Sequence, residues 1–114
     1  MKKSFILIAV IGLAVACNTA KKATTTETTA VPTDIERGQK LYPGYTLAEL
    51  NEGKSLYDAK CSTCHDLVKV THESPEAWKK IVPKMSELSN KEGKTISPKE
   101  ENLILKYLVT MSSK

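Results

Sequence analysis

Cys61, Cys64 and His65 stand in the order Cys61-Ser62-Thr63-Cys64-His65, and that spacing suits one piece of chemistry. Two thiols three positions apart add across two vinyl groups on one edge of a porphyrin. The next residue then lies under the iron, where its imidazole serves as an axial ligand. The chain has three Cys and two His in 114 residues, and shuffling it produces this pattern about once in a thousand arrangements. A zinc site demands four ligands at finger-like spacing. Here His72 is the one further donor nearby, and no second paired cluster follows. A thioredoxin-like thiol pair belongs in a βαβ unit, and no stretch reads as one. The motif therefore predicts haem c, one per chain, held by Cys61 and Cys64 with His65 on the iron.

The first residues say where such chemistry would occur. Lys2-Lys3 is a basic start, Phe5 to Ala16 is an uncharged and mostly apolar run, and small residues lead to Cys17. That is the pattern of a secretory signal, and the run is short for a membrane span. Leu13-Ala14-Val15-Ala16-Cys17 resembles a bacterial lipoprotein cleavage site, although Ala14 stands where a large aliphatic residue is usual. The expectation is a signal peptide over 1–16, cleaved before a lipidated Cys17. Cleavage without lipid and an uncleaved anchor stay open as alternatives. Haem c is attached outside the cytoplasm, so the two signals agree. The cysteines also close: one for lipid, two for haem, none left free in an oxidising compartment. The place is then the periplasm or the outer face of a bacterial membrane.

Net charge is +4 and falls to +2 once Lys2 and Lys3 leave with the signal. So near a balance, nothing points to nucleic acid. What remains suffices for one small domain, and a core that small is marginal without a staple such as a bound cofactor. Residues 18–33 are rich in Thr, Ala and Lys without apolar periodicity. Residues 17–45 are accordingly read as a disordered tether, with a mean span of roughly 30 Å for 28 coil residues. At its end Gly38-Gln39-Lys40-Leu41-Tyr42 echoes Gly53-Lys54-Ser55-Leu56-Tyr57. Pro43-Gly44 interrupts the first copy, which is taken as a loosely packed linker.

Three helices are legible in residues 46–114, and no segment alternates as a strand. Thr46-x-x-Glu49 is a capping box that opens a helix over about 46–60, with Leu47, Leu50 and Tyr57 at helical spacing. Ser74-Pro75 reads as N-cap and first turn, and Ala77, Trp78, Ile81, Val82 and Met85 form an apolar stripe. Pro83 is expected to kink or end that helix. Asn90 to Thr95 reads as a loop. Ser97-Pro98-Lys99-Glu100 opens the third helix, with Leu103, Ile104, Tyr107, Leu108 and Met111 on its buried face.

With these elements in place, residues 46–114 resemble the small monohaem class I c-type cytochromes. The matching residues are Gly53-x-x-Leu56-Tyr57-x-x-x-Cys61-x-x-Cys64-His65, a later Met, and a C-terminal helix carrying Tyr107. The segment Ser74-Pro75-Glu76-Ala77-Trp78 to Met85 is similar to a compact subgroup in which a Trp and a Met cover the distal face. The resemblance implies an all-α domain wrapped around one haem, with first and last helices crossing where Gly53 meets Tyr107. It implies a one-electron carrier, not an enzyme, that passes electrons between redox proteins. A monomer is expected, held to a membrane by its lipid.

Met85 is the expected second axial ligand, 20 residues after His65. Met111 lies near the end of the last helix, and His72 is only seven residues from His65, a tight reach around a macrocycle. Trp78 is read as a core aromatic or as a donor to a haem propionate. Family members often place Gly-Pro after the motif, with a carbonyl accepting the axial His N–H. Asp66-Leu67-Val68-Lys69 stands there instead, and Pro75 either fills that place or simply starts its helix. Lys60, Lys69, Lys79 and Lys80 are either solvated surface or a steering field for acidic partners. Two other classes stay open: a haem protein with an open distal position, and a haem-free zinc-binding structural protein.

Overall fold

The structure, a computed structural model, describes residues 32–113. The signal segment, Cys17 and the tether up to residue 31 lie outside the described residues. Four helices follow in order: α1 (Pro32–Leu41), α2 (Leu47–Leu56), α3 (Pro75–Lys91) and α4 (Pro98–Ser112). A π-helical turn, Tyr57–Cys61, prolongs α2, and a short 3₁₀ turn, Val70–His72, precedes α3. Among the described residues there is no strand, so this part of the chain is all-α.

The helix starts are set by local chemistry. The Thr46 hydroxyl accepts from the Glu49 N–H at 3.2 Å, and the Glu49 carboxylate accepts from the Thr46 N–H at 3.0 Å. Ser97 and Glu100 repeat the exchange at 3.3 and 2.8 Å. Ser74 accepts from the Ala77 N–H, with Pro75 in the first turn. Each pairing satisfies backbone donors that a helix end otherwise leaves open.

Helix α4 is the hub. Leu103, Ile104, Tyr107 and Leu108 are buried on it as the apolar spacing requires. Helix α2 crosses it at Gly53, where an added Cβ would stand 2.8 Å from Tyr107 Cβ and closer still to the Leu103 carbonyl. Only a glycine lets the two backbones approach so near. Helix α3 packs on another side of α4.

The tether expectation fails, and one of the two outcomes expected at Pro83 does not occur. The tether does not run to residue 45, because α1 is a helix that packs on α4. Gly38 is buried there, and a Cβ on it would meet Tyr45 Cδ1 at 2.6 Å and Thr110 Cγ2 at 3.2 Å. Arg37 Nε donates to the Thr110 carbonyl at 2.9 Å, and Arg37 pairs with buried Asp34. The fully buried residues of α1 are Asp34 and Gly38, with Ile35 partly buried against the core, so the apolar signal was too sparse to announce a helix. Its cover also explains why Thr110 is buried beyond the stripe read from sequence. Pro83, in turn, does not end α3, which continues to Lys91. Pro83 and Lys79 both face solvent, so the Lys79 carbonyl that loses its partner can bond water. The helix stops instead at Gly93, which adopts φ +76° while the Lys94 N–H bonds the Ser89 carbonyl, a left-handed helix stop.

Candidate functional site

The π turn, the motif, α3 and α4 line a cavity of about 690 Å³, within the 300–1,000 Å³ range of ligand and cofactor sites. Its α3 wall carries Trp78, Ile81, Val82, Met85, Ser86, Leu88 and Ser89, two adjacent rows at helical spacing along three turns. Ile104 and Leu108 of α4 form the floor, with Ile96 beside them. The π turn and the motif supply Tyr57, Lys60, Cys61, Thr63, Cys64 and His65, and Val68 follows. Cys61, Cys64, His65, Trp78 and Met85 thus line one space. His72 and Met111 are not on its wall. Met111 is part-buried against the hydrophobic core instead.

The π turn lies directly ahead of the motif. A one-residue widening of the helix re-aims the side chains that follow it, and Cys61 is the last residue of that turn. The two thiols are free and differ in setting. Cys61 is partly buried, and burial pushes its thiol above the ordinary range. Cys64 is exposed, and Lys94 Nζ donates to its sulfur at 3.1 Å, which lowers its pKa.

His65 Nδ1 lies 2.7 Å from the Asp66 carbonyl. A carbonyl only accepts, so this nitrogen carries the proton and Nε2 keeps its lone pair for a metal. Of the two readings left for Pro75, the structure shows the start of α3, and the carbonyl at His65 Nδ1 is that of Asp66. Trp78 Nε1 donates to the Val70 carbonyl at 3.0 Å, so its N–H is committed to the backbone and is not free for a propionate. The ring itself is buried and lines the cavity.

Among the described residues, no three His, Cys, Asp or Glu side chains converge as a metal-holding set. A porphyrin brings its own four equatorial nitrogens, so the chain need supply only thiols and axial donors, and a mostly apolar cavity with both along its wall fits such a group. The lysines divide. Lys60 donates to the Thr95 carbonyl and pairs with Glu100 at 3.3 Å, and Lys79 pairs with Glu76 at 2.7 Å. Lys69 and Lys80 are exposed.

Sequence reasoning missed Lys94, which reaches back 31 positions to the Thr63 carbonyl at 3.2 Å. No local signal could have announced it. Ser86 and Ser89 were within reach, since they continue the Trp78–Val82–Met85 rows by one turn. No family model, curated protein or solved structure matches this chain. Among the described residues, no helix is long and apolar enough to cross a membrane.

Proposed function

We propose that this protein is an exported, lipid-tethered carrier of single electrons, built around one covalently held haem c. The observation that supports the reading is the shared cavity. Cys61, Cys64 and His65 line the same largely apolar space as Met85. When bound, haem supplies a one-electron iron couple. In this reading Cys61 and Cys64 hold it by thioethers, His65 offers Nε2 with Nδ1–H fixed on Asp66, and Met85 offers a neutral thioether. The apolar wall excludes water, and a thioether favours the reduced iron, so both hold the potential high. His65 and Met85 would both be donors to the iron, which would leave substrate no place to bind it, so the reading is of a carrier and not an enzyme. Redox proteins are its partners, and Cys17 provides the membrane anchor.

The test is to express the full chain in a bacterium that attaches haem c, then record its mass and visible spectrum. One covalent haem, sharp reduced bands and a weak Met–iron charge-transfer feature are expected. Met85→Ala should remove that feature, lower the potential and admit CO, whereas Met111→Ala and His72→Ala should leave the spectrum unchanged. A wild-type chain without visible absorption would overturn the haem reading. A charge-transfer feature that survives Met85→Ala and disappears with Met111→Ala would overturn the ligand. Incorporation of labelled palmitate that is lost in Cys17→Ser tests the anchor.

A further inference from the structure

Between His65 and α3 the chain runs as a strap that meets the cavity at Val68. Besides its own turn, where the His72 N–H bonds the Lys69 carbonyl, two of its carbonyls accept from aromatic side chains. Tyr57 Oη donates to the Val68 carbonyl, and Trp78 Nε1 donates to the Val70 carbonyl at 3.0 Å. The two rings stand edge to face, 6.1 Å between centroids and 80° between planes. Both are buried, at 5% and 2% exposure, while residues 66–69 are exposed. Residues 66–69 thus have little apolar burial of their own to hold them, and packing on the core begins at Val70. Its start is the Asp66 carbonyl, the partner of His65 Nδ1.

From this geometry we infer that Tyr57 and Trp78 are positioning residues. Together they clamp the strap at two carbonyls and thereby hold the Asp66 carbonyl where it fixes the His65 imidazole. The inference deepens the haem reading and rests on it for its consequence at the iron. An imidazole whose Nδ1–H is firmly bonded is a stronger donor and favours the oxidised metal. A strap that drifts weakens that bond, so loosening the clamp raises the potential. Tyr57 and Trp78 reach the iron through two backbone carbonyls and touch no reacting atom. Their rings are packed from the π turn and from α3, so the clamp also ties the ligand-bearing segment to both.

The experiment compares wild type, Tyr57→Phe, Trp78→Phe and the double variant in the full chain as isolated. Backbone hydrogen exchange is read at residues 69–72 and in α4. Loss of one such hydrogen bond should speed strap exchange about threefold to tenfold and leave α4 unchanged. Tyr45→Phe serves as control, since its buried hydroxyl has no hydrogen-bond partner and its removal should leave the strap alone. In haem-loaded protein, the His65 Nδ1–H should exchange faster and the midpoint potential should rise, most in the double variant. Unchanged strap exchange would overturn the clamp, and so would equal acceleration in α4, which marks general loosening. If Trp78→Phe fails to accumulate, Tyr57→Phe decides alone, because it removes a single oxygen. A strap that responds in a wild type carrying no haem sinks the haem reading and leaves the clamp. A loaded protein whose strap does not respond sinks the clamp and leaves the haem reading.

Discussion

Two stretches of this chain share the pattern Gly-x-x-Leu-Tyr, and both dock a helix on α4 through the glycine. Gly38 brings α1 against Thr110, and Gly53 brings α2 against Leu103 and Tyr107. They differ in the atoms each glycine meets and in the path the chain takes after each tyrosine. Gly53 faces backbone, which cannot move aside, whereas Gly38 faces the Tyr45 ring and a Thr methyl. After Tyr42 the chain turns at Pro43-Gly44, with Gly44 at φ +82°. Tyr42 and Tyr45 then meet edge to face at 6.0 Å, and Lys106 Nζ lies 5.7 Å from each ring. After Tyr57 the helix widens into the π turn and delivers Cys61 to the cavity. The pentapeptide is a docking device, and the site comes from the residues immediately after its second copy.

The largest effect should separate the two glycines. Gly53→Ala pushes a methyl into the Leu103 carbonyl, and on the order of 3 kcal/mol or more of stability should be lost in urea unfolding. Gly38→Ala asks only a ring to shift, and about 1–2 kcal/mol is expected. Equal losses would break the contrast between backbone and side-chain neighbours.

Next in size is removal of the first copy altogether. A chain that starts its folded part at residue 46 loses Tyr45 and the cover over Thr110. A destabilisation of about 2–4 kcal/mol should appear in thermal melts. An unchanged melt would return residues 32–45 to the status of tether.

Tyrosine titration sharpens the comparison further. Burial raises the Tyr57 phenol to about 12, above its ordinary value near 10. The folded state therefore favours the neutral phenol. Stability from this group is fully present below about pH 10 and is lost as pH rises through about 12. Tyr42 is also raised, by burial, but its nearby Lys79 opposes the shift. Tyr57→Phe should flatten the alkaline fall in stability between about pH 10 and 12 more than Tyr42→Phe does. Matching curves would show the two tyrosines to be equivalent.

The smallest effect belongs to Tyr45→Phe. Its hydroxyl is buried without a hydrogen-bond partner, so the change should be neutral or stabilising by about 1 kcal/mol. A loss of about 2 kcal/mol or more would mean that the hydroxyl bonds a buried water.

Where the governing chemistry is local, the sequence determined the outcome. Thr46, Ser74 and Ser97 start helices because their side chains reach N–H groups three residues on. Trp78, Val82, Leu103, Ile104 and Leu108 are buried because helical spacing puts them on one side. The Cys61–His65 motif is legible because its five residues are contiguous, so its spacing can be read without the fold. Tertiary structure alone decided what depends on distant partners. Helix α1 carries Asp34 and Gly38 inward, and both are stable there only because Arg37 and Thr110 meet them. Pro83 stays helical because the carbonyl it orphans faces water. His65 finds its acceptor in Asp66 and Trp78 finds one in Val70, partners that helical spacing does not name. Lys94 meets Thr63 and Cys64 across 30 positions of chain. Such contacts are set by the three-dimensional path of the backbone, and no periodicity or cap in the sequence encodes that path.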